Sequence, residues 1–282
     1  MLPYRGFVVW DGAIFLILGV FFAFVATGWP GDPDTCLKFE NGVLVDNTCY
    51  CEAFNLQDII SHAPGVRQPV NTFFNLYALI TSFIVALFVY LDRADGKTFN
   101  VIRSNSPIAD LYIFAVLFLG LGSMWFHASL TNAVSWFDGF SMYVYAAFLV
   151  FYTLRRMWHS DLFFWIAYPS TVAAFTALNV LVTWQYTSLV LIATLVAAYL
   201  ALEIIAGIKT GKFFLGKARP RWLWAMAAAS MTLATLFWVF SQTNGSLCDS
   251  DSVFQPHGLL WHPLAGVMAV LLYFYWREEN AP

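Results

Sequence analysis

Five residues stand out for the chemistry they can perform together: Ser123, His127, Asp138, His257 and His262. In Gly122-Ser123-Met124-Trp125-Phe126-His127, Ser123 and His127 are spaced i, i+4, so a helix sets them on one face, one turn apart. Asp138 follows in Trp136-Phe137-Asp138, and both remaining histidines lie in Pro256-His257-Gly258-Leu259-Leu260-Trp261-His262-Pro263. Three imidazoles and a water are the usual ligands of an open catalytic zinc site. A carboxylate beside such a site orients and deprotonates the water, and a hydroxyl donates to a developing oxyanion. A lone His at a helix end is ordinarily an interfacial residue, so the case rests on whether the chain brings these five together.

The elements that must do so are membrane-spanning helices. Hydrophobic residues make up 60% of the chain and charged residues 11%, against about a quarter charged in a soluble domain. A span needs about 20 apolar residues, because in lipid each backbone polar group must be satisfied within its own helix. Eight stretches fit: roughly 11–29, 71–91, 109–129, 136–154, 162–182, 186–207, 221–241 and 257–276. The first is not a signal peptide, since Asp11 and Gly12 open it, Trp29-Pro30-Gly31-Asp32-Pro33 closes it, and no small-residue cleavage site follows. The predicted fold class is therefore all-α, a polytopic membrane bundle in one domain spanning 1–282.

Lys and Arg set the orientation. With a cytoplasmic N-terminus and alternating spans, the inner segments hold Arg5; Arg93, Lys97 and Arg103; Arg155 and Arg156; Lys209, Lys212, Lys217, Arg219 and Arg221; and Arg277, which is 12 of the 14 basic residues. Only Lys38 and Arg67 fall outside, and an odd number of spans spoils the bias. Both termini are thus expected in the cytoplasm. Ser123, His127, Asp138, His257 and His262 then share a depth near the outer face, although the topology was read from Lys and Arg alone. His159 falls on the inner side, and His62 in the outer loop reads as a surface residue. No nucleic-acid partner is expected.

The four cysteines agree with this placement: Cys36, Cys49 and Cys51 lie in the first outer loop and Cys248 in the last. Cysteines confined to one face indicate disulfides in an oxidising compartment. Cys49 and Cys51 are too close to bridge each other without strain. The outer stretch from Pro30 to Pro69 is acidic and of a length usual for functional or flexible loops. The basic inner loop 208–221 reads as a topology determinant that meets lipid phosphates. Glu203, about one turn from the inner interface, reads as a snorkelling side chain.

The motifs resemble the alkaline ceramidase family, within the wider group of seven-helix metal-dependent membrane hydrolases that includes the adiponectin-type receptors. That group carries Ser-x-x-x-His on one helix, Asp on the next and His-x-x-x-His on the last. Here Gly122–Ala128, Phe137-Asp138-Gly139-Phe140-Ser141-Met142 and Gln255–His262 are similar to the three blocks. Tyr50-Cys51-Glu52 and Asn71-Thr72-Phe73-Phe74-Asn75-Leu76 resemble the entry to the family's first helix, so the likeness covers about 49–276. It implies a seven-helix core over 71–276, with the span at 11–29 an N-terminal addition. It further implies cleavage of the amide bond of a ceramide-like membrane lipid into fatty acid and sphingoid base. By the same resemblance His127, His257 and His262 are zinc ligands, Asp138 activates water, and Ser123 is an oxyanion or supporting donor. It also implies that Cys51 pairs with Cys248, leaving Cys36 for Cys49.

The sequence departs from the family twice. His257 and His262 are separated by four residues, not three, and i and i+5 on a regular α-helix diverge by roughly 140°. A one-residue π-bulge restores convergence, and Pro263 favours one because it lacks the N–H that would bond Leu259; alternatively His257 sits in the loop before the helix. In addition, some family members hold calcium with an Asp-Trp-Cys-Glu-x-Asn cluster and a later Glu. Here Cys49, Phe54 and Gln68 stand at three of those places and Glu52 alone remains, whereas Ca²⁺ takes six or more oxygens. The favoured reading is a zinc-dependent lipid amidase. The alternatives are a lipid ester hydrolase with the same chemistry and a receptor or transporter that uses the cluster for binding.

Overall fold

The structure, a computed structural model, describes residues 4–34, 36–40, 43–47, 50–96, 100–182, 187–209 and 221–278. Seven of its helices are long and apolar enough to cross a membrane, which makes this a multi-pass membrane protein. The chain opens with α1 (Tyr4–Thr27), whose apolar part among the described side chains is Ile14–Thr27. A hairpin follows, β1 (Leu37–Glu40) antiparallel to β2 (Val43–Asn47), then the short helices α2 (Leu56–Ile60) and α3 (Pro69–Phe74). The spanning set is α4 (Tyr77–Ala94, continuous in direction with α3), α5 (Pro107–Ser129), α6 (Asn132–Trp158), α7 (Asp161–Leu181), α8 (Thr187–Lys209), α9 (Arg221–Phe240) and α10 (His262–Arg277). A π-helical turn, His257–Trp261, leads into α10. Lys212, Lys217 and Arg219 of the basic loop 208–221 lie outside the described residues.

Local signals fix the helix ends. Ser106 caps α5 by accepting from the Ile108 N–H at 3.2 Å, with Pro107 in the first helical position, where its missing donor costs nothing. Ser160 caps α7 in the same way through Phe163. Between α5 and α6 the chain reverses at Leu130, which takes a left-handed conformation (φ 52°) and donates its N–H to Phe126. Residues 32–34 brace this reversal through Asp34 N–H to Leu130 O and Asn132 N–H to Asp32 O. The span expected at 71–91 is split. Asn75 and Leu76 bond back to Thr72 and Phe73, and the Asn75 amide donates to the Asn71 carbonyl at 2.8 Å, so this turn tightens instead of running on as α-helix.

α5 and α6 are the buried centre. α5 packs on α3, α4 and α6; α6 on α7 and α8; and α10 on α9 and α4. At Gly122 an added Cβ would lie 2.7 Å from the Phe137 carbonyl oxygen, so glycine is what lets α6 approach the Ser123 turn. At the other end, buried Asp92 accepts from Arg103 at 2.9 Å and from Arg277 at 2.7 and 2.8 Å, tying α4, the α4–α5 connection and α10 together. The snorkelling expected of Glu203 does not occur. It is 4% exposed, accepts from Arg156 at 2.9 Å and from the Tyr275 hydroxyl at 2.7 Å, and so joins α6, α8 and α10. A buried carboxylate is tolerated only with such partners.

Candidate metal centre

α5 carries His127 one turn above Ser123, in its last turn, while the π-helical turn supplies His257 and α10 begins at His262. The π turn resolves the spacing problem: the His262 N–H bonds to the His257 carbonyl, an i→i+5 closure that brings the pair onto one side. Pro263, next in line, has no N–H for either the π or the α register, so the chain changes register there without orphaning a donor. Gly258 lets this turn seat against α3, since a Cβ there would lie 2.9 Å from Asn71 Oδ1.

The three imidazoles are buried, and one nitrogen from each falls within 4.8 Å of the others. His127 Nε2 and His257 Nε2 are 3.2 Å apart. Tetrahedral Zn–N bonds of about 2.0–2.1 Å put neighbouring ligand nitrogens about 3.3 Å apart. His257 Nδ1 and both nitrogens of His262 have no hydrogen-bond partner among the described residues. Leaving buried polar atoms unpartnered costs about 1–3 kcal/mol each, and a cation held by the lone pairs removes that cost for the nitrogens that bind it. Neutral imidazoles suit zinc, copper, iron or nickel. These residues therefore fit a metal ion.

Aromatic rings hold the cluster. Tyr50 stacks on His257 with centroids 4.0 Å apart, from a backbone in the left-handed region (φ 75°). Tyr77 stacks near His262 at 6.2 Å. The Tyr50 hydroxyl accepts from the Trp238 indole at 3.2 Å, and its carbonyl accepts from the Thr243 hydroxyl at 3.1 Å. Burial, then the charge of Asp138, pushes the Tyr50 phenol well above its ordinary range. Tyr50 enters the sequence reading only as part of the Tyr50-Cys51-Glu52 block, with no role, and Tyr77 not at all, because a single aromatic among many carries no signal.

Ser123 and Asp138 form a second, adjoining group. The Asp138 carboxylate interacts with the Ser123 hydroxyl, and Asn75 donates to Ser123 Oγ at 3.3 Å. His62 stays apart, exposed and bonded to the Trp29 carbonyl at 3.0 Å, and His159 caps the far end of α6. Glu52 has a definite task. One oxygen accepts from the Val70 N–H at 2.7 Å and the other from Asn71 at 2.8 Å, so it caps α3, and burial raises its pKa while these amides pull it back. That capping occupies the one carboxylate left from the calcium pattern. Gln68, read in the sequence only as a missing carboxylate, meets His127 Nδ1 at 2.7 Å.

A disulfide staples two loops beside this group. Cys51 is bridged to Cys248, and Cys36 is also disulfide-bonded, while its expected partner Cys49 lies outside the described residues. A cavity of about 340 Å³ runs between α6, α8, α9 and α10, lined by Tyr145, Leu149, Tyr199, Trp224, Met231 and Trp261 among others. Trp261, part of the cavity wall, stacks beside His257 with ring centroids 6.4 Å apart, which links cavity and histidine group. Consecutive helices α8 and α9 make little contact among the described residues, and residues of both line the cavity. No protein-family model matches the chain and no curated protein matches it, so what the centre does must be argued from its own geometry.

Proposed function

We propose that the protein is a zinc-dependent membrane amidohydrolase that cleaves the N-acyl bond of ceramide or a ceramide-like lipid. The observation that carries this reading is the buried three-histidine group with unpartnered nitrogens, together with Ser123 one helical turn from His127 and an apolar cavity whose wall residue Trp261 stacks beside His257. Drug-sized ligands occupy pockets of about 300–1,000 Å³, so the cavity suits an alkyl chain. The sparse α8–α9 contact gives such a chain a route in from the bilayer. His127, His257 and His262 would hold the ion, which supplies Lewis acidity and a water acidified toward neutral pH.

Hydrolysis forms a C–O bond at the acyl carbon, breaks the C–N bond and leaves the transferred proton on the amine. Asp138 takes the proton of the attacking water and delivers it to the departing nitrogen. Asn75 donates into Ser123 Oγ, which leaves the hydroxyl proton to be shared between Asp138 and the acyl oxygen as charge builds there. We further propose that α1 is an eighth span added to the seven-helix core, that both termini are cytoplasmic, and that the metal group lies near the outer face. The supports are the Lys and Arg distribution and the cysteines, none of which is expected inside.

The test is a panel of N-acyl and O-acyl lipids given to purified protein before and after chelation. Fatty acid released from N-acyl sphingoids, lost on chelation and restored by Zn²⁺, is expected. Release from O-acyl lipids alone moves the assignment to an esterase, and no release by metal-loaded protein contradicts an enzyme.

A further inference from the structure

The three histidines are not held alike. His257 Nδ1 and both nitrogens of His262 lack hydrogen-bond partners, whereas His127 Nδ1 is 2.7 Å from Gln68 Oε1. Gln68 is fully buried, and its amide orientation is determined by its other end: Nε2 donates to the Glu52 carbonyl at 3.0 Å, so the oxygen faces the imidazole. An amide oxygen only accepts. His127 Nδ1 must therefore carry the proton, and His127 Nε2, the atom facing His257 at 3.2 Å, presents a bare lone pair. The backbone repeats the contact, with the Gln68 N–H donating to the His127 carbonyl at 3.1 Å.

We propose that Gln68 is the positioning residue of the metal centre: by accepting from Nδ1 it fixes the tautomer and pitch of the His127 ring, so that Nε2 is ready to ligate. This rests on the reading of the three histidines as metal ligands. The support runs outward in a chain. Gln68 is held by the Glu52 carbonyl, Glu52 is fixed by its carboxylate on the Val70 and Asn71 amides, and the neighbouring Cys51 is bonded to Cys248. His127 is thus the one ligand whose second nitrogen is held by a hydrogen bond, while stacked tyrosines flank the other two rings. Hydrogen bonds of this kind from a ligand imidazole change metal affinity by about 10–100-fold.

Gln68→Leu and Gln68→Glu separate the possible roles. Leucine removes the acceptor. Glutamate keeps an acceptor for Nδ1–H but cannot donate to Glu52. Two measurements are made on each purified protein: Zn²⁺ affinity by chelator competition, and the ¹⁵N imidazole spectrum of His127 in metal-free protein. The expected result is about 10–100-fold weaker Zn²⁺ binding and a mixed His127 tautomer in Gln68→Leu, with affinity and the Nδ1–H tautomer kept in Gln68→Glu. Wild-type affinity or an unchanged tautomer in Gln68→Leu overturns the proposal, as does equal loss in both variants, which would make Gln68 a packing residue. If the wild type binds no Zn²⁺, the metal reading fails by itself, and the tautomer comparison still decides whether Gln68 orients His127.

Discussion

At the scale of single residues, Asp138 is where a merely structural role and catalysis give opposite outcomes. A capping role is excluded, because α6 has its N-cap at Thr131 and begins at Asn132, so that Asp138 falls inside the helix. A carboxylate that only holds Ser123 in place is replaceable by Asn, whose amide oxygen also accepts. A carboxylate that moves a proton is not. Asp138→Asn is expected to lower hydrolysis by roughly 10²–10⁴-fold while zinc stays bound, because the three-histidine group does not include the carboxylate. Near wild-type turnover in zinc-loaded Asp138→Asn would remove Asp138 from the mechanism. The histidines were legible in the sequence because imidazole is rare and their depths could be compared. Gln68, Asn75, Tyr50 and Tyr77 were not, because an amide or a phenol acquires its meaning only from the atom it faces. Gln68 even stood out in the sequence for the wrong reason, as a gap in a calcium pattern.

At the scale of elements, the π turn links sequence spacing to site geometry. The i, i+5 interval between His257 and His262 left open whether a bulge or a loop brought them together. The i→i+5 bond between their backbones shows the bulge. A π turn is an α-helix with one residue inserted, so deleting Leu260 is expected to restore an i, i+4 pair on one face and to retain metal binding. Inserting an alanine after Leu260 is expected to abolish it. Metal content of the two variants checks this, and loss in the deletion with retention in the insertion would contradict it. The Cys51–Cys248 bridge, closing a sequence separation of 197, belongs to the same scale. It fixes the loop that carries Tyr50 and Glu52. Replacing both cysteines by serine is expected to cost about 2–4 kcal/mol of stability and also to weaken Zn²⁺ binding; unchanged affinity would show that the loop holds its place without the bridge. The break at Asn75–Leu76 and the buried Glu203 pair were hidden from the sequence for a common reason. Hydropathy reports how apolar a stretch is, not which polar side chain finds a partner inside it.

At the scale of the whole molecule, composition alone carried the all-α membrane bundle, since seven helices in the structure meet the length and apolarity that a bilayer demands. What it could not carry was the arrangement: α8 leaning on α6, α9 on α10, and a cavity left between the two pairs. If that cavity houses an acyl chain, Ala228→Trp on its wall should reduce hydrolysis of long-chain N-acyl lipids by at least about tenfold, a loss of roughly 1.4 kcal/mol in differential binding. Short-chain substrates and zinc content should be unaffected, and equal loss for both chain lengths would place the acyl chain elsewhere. The claim beneath all of these is that His127, His257 and His262 together hold a metal ion. Its most direct measurement is elemental analysis of purified wild-type protein and of His127→Ala, with circular dichroism to show that the helices persist. About one equivalent of zinc in the wild type, as expected for one His₃ site, and none in folded His127→Ala is the predicted result; equal zinc in both proteins would contradict it.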